Sequence, residues 1–513
     1  MRSLLITFLA VPALAMAADS ATGKCTGIPA PFQPGPGDWN GWGVESTNSR
    51  FQPQPGISAA DVPRLKLKWA FGLAGESRNQ AQPVIVGGRV FVGTTGGTLY
   101  SLDANSGCIY WTYIAGGPIK NAASIMRSGS RWVAYVGDAG GYAQAVDAAT
   151  GAPIWKVRVD DHPAARVTGS PTYYQGRLYV PVASGEETLQ SQPKYECCTF
   201  QGSLVALDAE TGKMLWKTRT IPDPPKPYKK NAEGTQLRGP AGAGIWSAPT
   251  IDEKRKRIYV GTGNSYTAID VPTSDAILAF DLESGSLLWS SQVTPGDNWI
   301  PGCPKSVNCP EKPGDDLDFG NSPVLRALPG GKDVLVASQK SGVIYGLDPD
   351  QRGKILWKTR LGVGNGLLGG IGWGTAFDGN NAYAAIADYN KPDGTPGLYA
   401  VRVDTGEKIW GTPAPQGAGN RAQAAAVSAI PGAIFSSSFG GHLRAYSEKT
   451  GEILWDYDAV HEFQTVNQVP AKGGSFDGGG PAIAHGLVVT VSGYGFAGGQ
   501  AGNVLLAFSV DGR

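Results

Sequence analysis

The sequence predicts an all-β fold, an eight-bladed β-propeller whose ring is closed by strands from the two ends of the chain. Three observations support this prediction: a motif that recurs along the chain, a tryptophan at a fixed place in that motif, and the division of one copy between the chain ends. Self-similarity at a period of about 40 to 70 residues indicates a repeat architecture such as a propeller.

The recurring motif is, in most copies, a small residue, an Asp two positions later, a Thr/Ser–Gly pair, and a Trp four positions after the glycine. Seven copies reach their tryptophan, one of them being a residue longer than the others: Trp111, Trp155, Trp216, Trp289, Trp357, Trp410 and Trp455. An eighth copy begins at Ala507, and the sequence stops at Arg513 before a Trp is reached. The missing half lies in residues 65–71, which contain Trp69, so we expect the two ends to share one blade.

Each copy has the form of a strand, a tight turn and a return strand that is entered through the Trp. Glycine supplies the positive φ that the turn needs, and Asp accepts hydrogen bonds from the backbone beside it. A second alternating pair, such as residues 82–86 and 89–93, precedes most copies and gives four strands per unit. Four strands in each of eight units predict a propeller, with each Trp packed against the turn of the neighbouring repeat.

Length and composition agree with one large repeat domain. A chain of 513 residues would usually divide into several domains. Because blades pack only on their neighbours, we instead predict a single propeller domain over residues 18–513. The 73 glycines and 37 prolines suit a turn-rich protein, and 41% hydrophobic residues argue against disorder. A net charge of +1 offers no basic stripe for nucleic acid, and the histidines at 162, 442, 461 and 485 form no metal-ligand spacing.

Residues 1–17 predict a targeting segment rather than part of the fold. They combine a basic start at Arg2, an apolar run over residues 4–14 and a small-x-small cleavage site formed by Ala15, Met16 and Ala17. This pattern is typical of a cleaved signal peptide, so we expect export to the periplasm. The apolar run is too short to cross a bilayer, and we therefore do not expect a membrane-spanning protein.

Six cysteines in an exported protein indicate disulfides. Cys303 and Cys309 bracket a short Pro-rich loop and are predicted to pair, whereas Cys25 and Cys108 are one of several remaining combinations. The neighbours Cys197 and Cys198 lie only ~3.8 Å apart between Cα atoms across a trans peptide, below the usual disulfide range of about 4.4–6.8 Å. A bond between them makes an eight-membered ring with a stiff, flat face; the alternative is that both pair elsewhere.

The Trp-terminated repeat resembles the docking motif of the alcohol dehydrogenases that depend on pyrroloquinoline quinone (PQQ), which are eight-bladed propellers. The N-terminal segment also resembles that family's signature, through Trp39, Trp42, Gly43, Thr47, Arg50, Phe51, Ile57, Val62 and Leu65. Within the family, the Glu186–Glu187 pair upstream of the vicinal cysteines looks most like the polyvinyl alcohol dehydrogenases. Those often carry a cytochrome c domain with a Cys-x-x-Cys-His motif, which is absent from this sequence, so we expect a separate cytochrome c as electron acceptor.

The resemblance implies which residues surround PQQ, an acidic and planar ortho-quinone. The family places the ring between a Trp floor and a vicinal disulfide ceiling, which implies Trp246 below and Cys197–Cys198 above. It further implies Lys340 as a cation that contacts the quinone oxygens and Trp373 as a second tryptophan that lines the site. Thr168 is implied to contact a PQQ carboxylate through its hydroxyl, and Arg166 and Lys120 are weaker candidates for that contact. Gly372 stands where alcohol dehydrogenases carry Asn. The alternatives are a core Trp at 246 and a solvated turn lysine at 340.

The same resemblance implies a metal ion that holds the quinone and polarises it as a Lewis acid. Calcium takes carboxylate and amide oxygens, which points to Glu187, with Glu186 as the alternative, and to Asn264. Asp316 is implied as a further ligand and as the general base that takes the hydroxyl proton. Asp318 lies where some relatives bind a lanthanide. Asp297 and Asp315 stay open as alternatives to Asp316, because an insertion separates the two parts of the family's sequence pattern around the base.

The sequence therefore predicts a periplasmic quinoprotein dehydrogenase that oxidises secondary alcohols or a hydroxylated polymer such as polyvinyl alcohol. The main alternative is a cofactor-free propeller scaffold of the cell envelope, because propellers of outer-membrane assembly share the Trp repeats; a sugar dehydrogenase is a further alternative. The Pro- and Lys-rich residues 221–240 and the loose residues 411–420 are either solvated loops or covers of the active site.

Overall fold

The computed structural model describes residues 22–26, 31–364, 366–417 and 419–513, so the predicted signal peptide at residues 1–17 lies outside it. Strands dominate these ranges, which contain one short α-helix, α1 (Glu186–Leu189), and two 3-10 turns, Val62–Arg64 and Pro349–Gln351. Neither α1 nor any other helix in the described ranges has the length and apolar character needed to cross a membrane.

The strands of the described residues form eight blades, and the prediction of an eight-bladed propeller is confirmed. Strand β1 (Leu65–Gly72) precedes them and joins the last blade. The first blade contains β2 (Val84–Val86), β3 (Arg89–Gly93), β4 (Thr98–Asp103) and β5 (Ile109–Ile114), and the second contains β6 (Ser124–Ser128), β7 (Arg131–Gly137), β8 (Tyr142–Asp147) and β9 (Pro153–Arg158). The third contains β10 (Ala165–Arg166), β11 (Thr172–Tyr174), β12 (Arg177–Ser184), β13 (Ser203–Asp208) and β14 (Met214–Arg219). After a hairpin of β15 (Lys226–Lys230) and β16 (Gln236–Gly239), the fourth blade contains β17 (Thr250–Asp252), β18 (Arg257–Gly261), β19 (Ala276–Asp281) and β20 (Leu287–Gln292).

The second half of the ring repeats this antiparallel arrangement. Its blades are β21 (Val324–Ala327), β22 (Asp333–Ser338), β23 (Val343–Asp348) and β24 (Lys354–Arg360); β25 (Ala376–Phe377), β26 (Asn381–Ile386), β27 (Gly397–Arg402) and β28 (Lys408–Pro413); β29 (Ser428–Ile430), β30 (Ala433–Ser437), β31 (His442–Ser447) and β32 (Ile453–Asp458); then, after a hairpin of β33 (Glu462–Phe463) and β34 (Ala471–Lys472), β35 (Ala482–Ala484), β36 (Leu487–Ser492), β37 (Val504–Val510) and β1.

The ring closes as the split motif predicts. β1 pairs with β37 in antiparallel register, with Lys66 opposite Ser509 and Ala70 opposite Leu506. The indole N–H of Trp455, in the seventh blade, donates to the carbonyl of Leu65 at 3.0 Å and ties that blade to the closing strand. Both ends of the propeller domain are therefore needed to complete the eighth blade.

Tryptophans of the repeat dock each blade onto the next, which confirms the predicted packing. Trp111 donates its indole N–H to Ala148 at 3.2 Å, and its ring lies under the glycine of that turn, Gly151. Equivalent bonds to the following turn are made by Trp69, Trp155, Trp357 and Trp410. Apolar clusters accordingly lie between successive blades, such as the cluster that joins the second and third blades.

Gly151 offers a test of this docking, with Gly176 as a matched control. Both glycines have positive φ, +76° and +81°, so alanine at either site costs about 1 kcal/mol of backbone strain. A Cβ at Gly151 would lie 2.7 Å from the Trp111 ring, whereas a Cβ at Gly176 meets nothing within 4 Å. We expect Gly151→Ala to lower the free energy of unfolding by about 1–3 kcal/mol more than Gly176→Ala in urea titrations, because overpacking adds to strain. Equal losses would contradict this account of the docking.

The structure contains three disulfides: Cys303–Cys309, as predicted, and Cys25–Cys108 and the vicinal pair Cys197–Cys198, which were among the pairings that the sequence left open. One detail differs from the sequence-based expectation. The peptide between Cys197 and Cys198 is cis, and the Cα atoms are 3.0 Å apart rather than at the trans spacing. The pair lies in the cluster between the second and third blades, with Phe200, Leu237 and Tyr266 nearby.

The two segments considered as loops are more ordered than their composition suggests. Residues 226–239 form the β15–β16 hairpin, and the backbone of Arg238 in that hairpin exchanges hydrogen bonds with Cys197 and Cys198. Residues 411–413 are the end of β28 rather than a loose segment. No described residue of either segment lines the cavity described below.

Candidate active site

A cavity of about 240 Å³ opens at the centre of the propeller. Its wall repeats the symmetry of the ring, because seven blades contribute the residue four positions before a strand, which is the first strand of the blade except in the third blade, where it is β11. These residues are Gln80, Lys120, Thr168, Trp246, Gly320, Gly372 and Ala424. The eighth blade contributes Asp477 and Gly479, which flank the equivalent position. A second group follows the second strand of a blade by two or three residues: Glu187, Asn264, Lys340 and Tyr494.

Eight of the residues predicted from the resemblance line this cavity: Lys120, Thr168, Glu187, Trp246, Asn264, Asp318, Lys340 and Trp373. Asp316 is buried behind the wall and reaches it through Lys340. Cys197 and Cys198 are buried but do not line the cavity, and neither does Arg166, which packs beside Gly185. The roles of the predicted residues in catalysis and in PQQ binding stay predictions.

Lys340 is the centre of a buried ionic cluster. Its Nζ lies 2.7 Å from Oδ1 of Asp316 and 3.0 Å from Oδ2 of Asp318. The other oxygen of Asp318 accepts the backbone N–H of Asn264 at 2.8 Å. Burial lowers the pKa of Lys340, but the two aspartates outweigh burial and raise the pKa overall, so the lysine stays charged.

Asp316 combines features of a general base. Burial raises the pKa of Asp316 to about 7, against the opposing effect of Lys340. Its Oδ2 is buried and has no hydrogen-bond partner among the described residues. The backbone at Asp316 adopts a positive φ of 62°, an uncommon conformation that is often found at functional sites. Asp297, one of the alternatives, instead accepts the backbone N–H of Leu317 at 2.6 Å and organises the loop that carries Asp316.

The two glutamates at the start of α1 have different environments. Glu186 is fully buried and accepts hydrogen bonds from the backbone N–H groups of Thr199 and Phe200 and from the Tyr195 hydroxyl, at 2.8–2.9 Å. Burial alone would raise the pKa of Glu186, but these bonds and His162 lower it overall. Glu187 lines the cavity, and its Oε1 is buried without a partner in the described chain. Burial raises the pKa of Glu187 well above its usual value, and Asp316 and Asp318 add to the increase.

The unpaired oxygens of Glu187 and Asp316 fit a cation. Asn264 lies beside them in the wall, and its Nδ2 donates to the carbonyls of Ser265 and Trp299, which fixes the side-chain amide. Carboxylate and amide oxygens are the donors that Ca²⁺ takes in proteins. Within the described ranges no group of three or more His, Cys, Asp or Glu side chains is arranged to hold a metal ion by itself.

A flat aromatic face and three cations suit an acidic planar ligand. The rings of Trp246 and Trp373 meet edge to face, with 5.1 Å between their centroids. The Nζ of Lys340 lies 5.4 Å from the centroid of the Trp246 ring. The absence of a side chain at Gly320 leaves room for the Trp246 ring, because a Cβ at position 320 would lie 2.1 Å from the indole. Burial, together with the nearby charges of Arg78 and Arg166, lowers the pKa of Lys120 to about 8. The residues therefore fit an anionic quinone with a bound cation.

Comparison with known proteins decides the family. The PQQ family model, described as the glucose/ethanol/alcohol dehydrogenase β-propeller domain, matches residues 39–360. A polyvinylalcohol dehydrogenase from a Pseudomonas species is 44% identical over 96% of this chain and 80% of its own length. This chain belongs to the PQQ-dependent alcohol dehydrogenases. A second polyvinylalcohol dehydrogenase, from a Sphingopyxis species, is 42% identical over 96% of the chain and 79% of its own length.

Membership of the PQQ-dependent alcohol dehydrogenases makes the protein an enzyme and implies PQQ and a metal ion as cofactors. Among solved structures, a quinohemoprotein alcohol dehydrogenase from Pseudomonas putida, ADHIIG, aligns with a TM-score of 0.68 at 19% identity, covering 93% of this chain and 81% of its own. That likeness concerns the fold. A second family model, of the outer membrane protein assembly factor BamB, matches only residues 340–475.

Motif matching missed Arg78, Gln80, Asp477 and Tyr494, which also line the cavity of this PQQ-dependent dehydrogenase. These residues can be recognised in the sequence by their position in the repeat, not by a local motif. Gln80 precedes β2 by the same four residues that separate Trp246 from β17, and Tyr494 follows β36 by the two residues that separate Lys340 from β22. Superposition of the repeats would have found them.

Proposed function

We propose that this enzyme oxidises secondary alcohols, including the hydroxyl groups of a polymer such as polyvinyl alcohol. The observation that carries the proposal is the buried pair at the cavity wall, in which Lys340 holds one oxygen of Asp316 and leaves the other unpaired. A base so placed takes the proton of an alcohol hydroxyl. The names of the two polyvinylalcohol dehydrogenases to which the chain is similar support this substrate class.

The side chains divide the work of alcohol oxidation. PQQ, when bound, supplies an ortho-quinone carbon that accepts the hydride from the alcohol carbon. Trp246 offers the flat face on which such a ring stacks, and Lys340 supplies a fixed positive charge beside it. Asp316 takes the hydroxyl proton, and its pKa of about 7 suits a proton acceptor at neutral pH. The cations Lys120 and Arg78, which line the cavity, would neutralise the carboxylates of the cofactor.

The metal is proposed to be Ca²⁺, with a lanthanide as the alternative. Glu187, Asn264 and Asp316 would hold it, since they combine two unpaired buried oxygens with a fixed amide. A cation at this place supplies Lewis-acid polarisation. Asp318 is the fourth candidate, although both of its oxygens already bind protein groups, Asn264 and Lys340.

The cellular setting is also proposed. A signal peptide at residues 1–17 and three disulfides support periplasmic export, with the mature enzyme as one propeller over residues 18–513. A separate cytochrome c would accept the electrons. A cofactor-free scaffold is the second candidate, favoured by the BamB match over residues 340–475, but a buried Lys–Asp cluster that leaves a carboxylate oxygen unpaired at the cavity wall favours an enzyme.

Dye reduction by purified protein tests the proposal. Protein loaded with PQQ and Ca²⁺ is offered a secondary alcohol, a primary alcohol and polyvinyl alcohol, with a preparation lacking PQQ as the control. We expect PQQ-dependent turnover, with the secondary alcohol and the polymer preferred to the primary alcohol. Stoichiometric PQQ binding without turnover on any alcohol would contradict the proposed function, and failure to bind PQQ would favour a scaffold.

A further inference from the structure

An irregular segment, which we call the insert, separates Asp297 from Asp316. It comprises residues 298–315, all of which the structure describes, and it contains neither helix nor strand. A disulfide between Cys303 and Cys309 closes its outer part. Long irregular loops are uncommon in compact domains and often serve a function. No residue of the insert lines the cavity, so any effect on the site must pass through the contacts that the insert makes.

The base of the insert holds two of the proposed cation ligands. The carbonyl of Trp299 accepts the side-chain amide of Asn264 at 2.8 Å. Asp297, directly before the insert, accepts the backbone N–H of Asp316, directly after it, at 3.3 Å. A Cβ at Gly314 would lie 1.8 Å from Oδ1 of Asp297, so only glycine allows the two ends to approach this closely. The insert therefore begins at the partner of one ligand and ends beside another.

The tip of the insert holds the helix that carries the third ligand, Glu187. Asn308 is 4% exposed, and its Nδ2 donates to the carbonyls of Gln190, at 2.6 Å, and Gln192, at 3.2 Å, directly after α1. The Oδ1 of Asn308 accepts the side-chain amide of Asn231, in the turn of the β15–β16 hairpin, at 2.8 Å. One buried amide therefore joins the end of α1 and the neighbouring hairpin to the insert.

The proposed ligands need such a link because their charges oppose one another. Asp316 raises the pKa of Glu187, which shows that the two carboxylates repel each other. Without a cation between them, the segments that carry them stay together only through contacts outside the site. Asn308 supplies neutral hydrogen bonds for this purpose, and the disulfide restricts the loop that presents Asn308.

We propose that Asn308 is a positioning residue for the cation site and that the loop closed by Cys303 and Cys309 holds it in place. Through the insert, the three proposed ligands are set at the spacing that a cation requires. This inference rests on the proposed function, because it takes those residues as ligands. Replacement of groups that orient metal ligands typically weakens metal binding by about 10- to 100-fold.

Two variants of the full chain test the role of the insert, by calorimetric titration with Ca²⁺ in the presence of excess PQQ. Asn308→Leu removes the buried amide at nearly constant volume, and the double variant Cys303→Ser/Cys309→Ser opens the loop. We expect the Kd for Ca²⁺ to rise about 10-fold or more in each variant, because the ligands lose their fixed spacing. Thermal melts of the same proteins without Ca²⁺ measure their stability.

Each variant has a matched control away from the cavity. Asn467 is 6% exposed and its side-chain amide bonds both backbone groups of Gly72, so Asn467→Leu removes similar hydrogen bonds. The double variant Cys25→Ser/Cys108→Ser removes a disulfide that closes a much longer loop, and it should lower stability more than opening the insert does. Both controls should keep the wild-type Kd.

The comparison separates positioning from general stability. Melting temperatures that fall in the insert variants without a change in Kd would overturn the inference, and so would equal rises in Kd in the insert variants and the controls. If Asn308→Leu does not fold, the two double variants decide the question by themselves. A wild type that binds neither Ca²⁺ nor La³⁺ would overturn the proposed cation site and the inference with it. Insert-dependent Ca²⁺ binding without alcohol oxidation would overturn the proposed function alone.

Discussion

Replacement of Asp316 by Asn is expected to remove turnover while the protein still binds PQQ. The amide keeps the shape of the side chain and can still accept a hydrogen bond from Lys340 Nζ, but it cannot take a proton from an alcohol. Loss of a general base lowers kcat by about 10²- to 10⁴-fold. Dye-linked kinetics with a secondary alcohol would measure the loss, and absorbance would measure PQQ content.

The matched control for the base is Asp297→Asn. Asp297 contacts the same loop, but it accepts the backbone N–H groups of Asp316, at 3.3 Å, and Leu317, at 2.6 Å, rather than bonding Lys340. Its replacement should lower thermal stability and leave kcat per bound PQQ within about an order of magnitude of the wild type, because the base is still present. The assignment of Asp316 would be wrong if Asp297→Asn removed turnover and Asp316→Asn did not.

Replacement of Glu187 by Gln is expected to remove cation binding and yet to stabilise the protein without cofactors. The Glu187 carboxylate is buried with one unpaired oxygen and repelled by Asp316 and Asp318, so it destabilises the fold unless a cation is present. Neutralising it relieves that cost, with a gain of about 1–3 kcal/mol in the apo protein. Calorimetric Ca²⁺ titration and thermal melts of the apo protein measure the two effects.

Glu186→Gln provides the opposite expectation. The Glu186 carboxylate accepts hydrogen bonds from two backbone N–H groups and from the Tyr195 hydroxyl. In the variant, the amide NH2 group would face one of these donors, and the lost hydrogen bond would lower the melting temperature. Cation binding should persist in this variant. Melting temperatures and cation affinities that change in the reverse pattern would assign the ligand to Glu186 instead.

The fold was predictable because its information is local and repeated. Each turn glycine lies under the Trp of the preceding blade, as Gly151 lies under Trp111, so regular spacing in the sequence implies regular packing in space. The division of one copy between residues 65–71 and residues 507–513 was enough to predict the pairing of β1 with β37, because a ring with an unpaired strand at each end closes only in that way.

The candidate site was predictable where repeat position and motif coincide. Trp246 and Lys340 each fall on a position of the repeat that lines the cavity in other blades too, and their local motifs identified them. The vicinal disulfide differs, since the bond was predicted and is present, but the resemblance placed it over the quinone, and neither cysteine lines the cavity. Its place depends on the β15–β16 hairpin, whose Arg238 binds both cysteines through the backbone, and composition alone does not show where such a hairpin packs.

The closing blade also sets an order of assembly. The cavity wall draws on Arg78, near the start of the propeller, and on Tyr494, near its end, and the two side chains meet only after β1 and β37 have paired. β37 follows the other strands of the described chain, so the cavity wall stays incomplete until β1 and β37 have paired. A cofactor held by residues from both ends of the propeller would therefore bind only after the ring has closed.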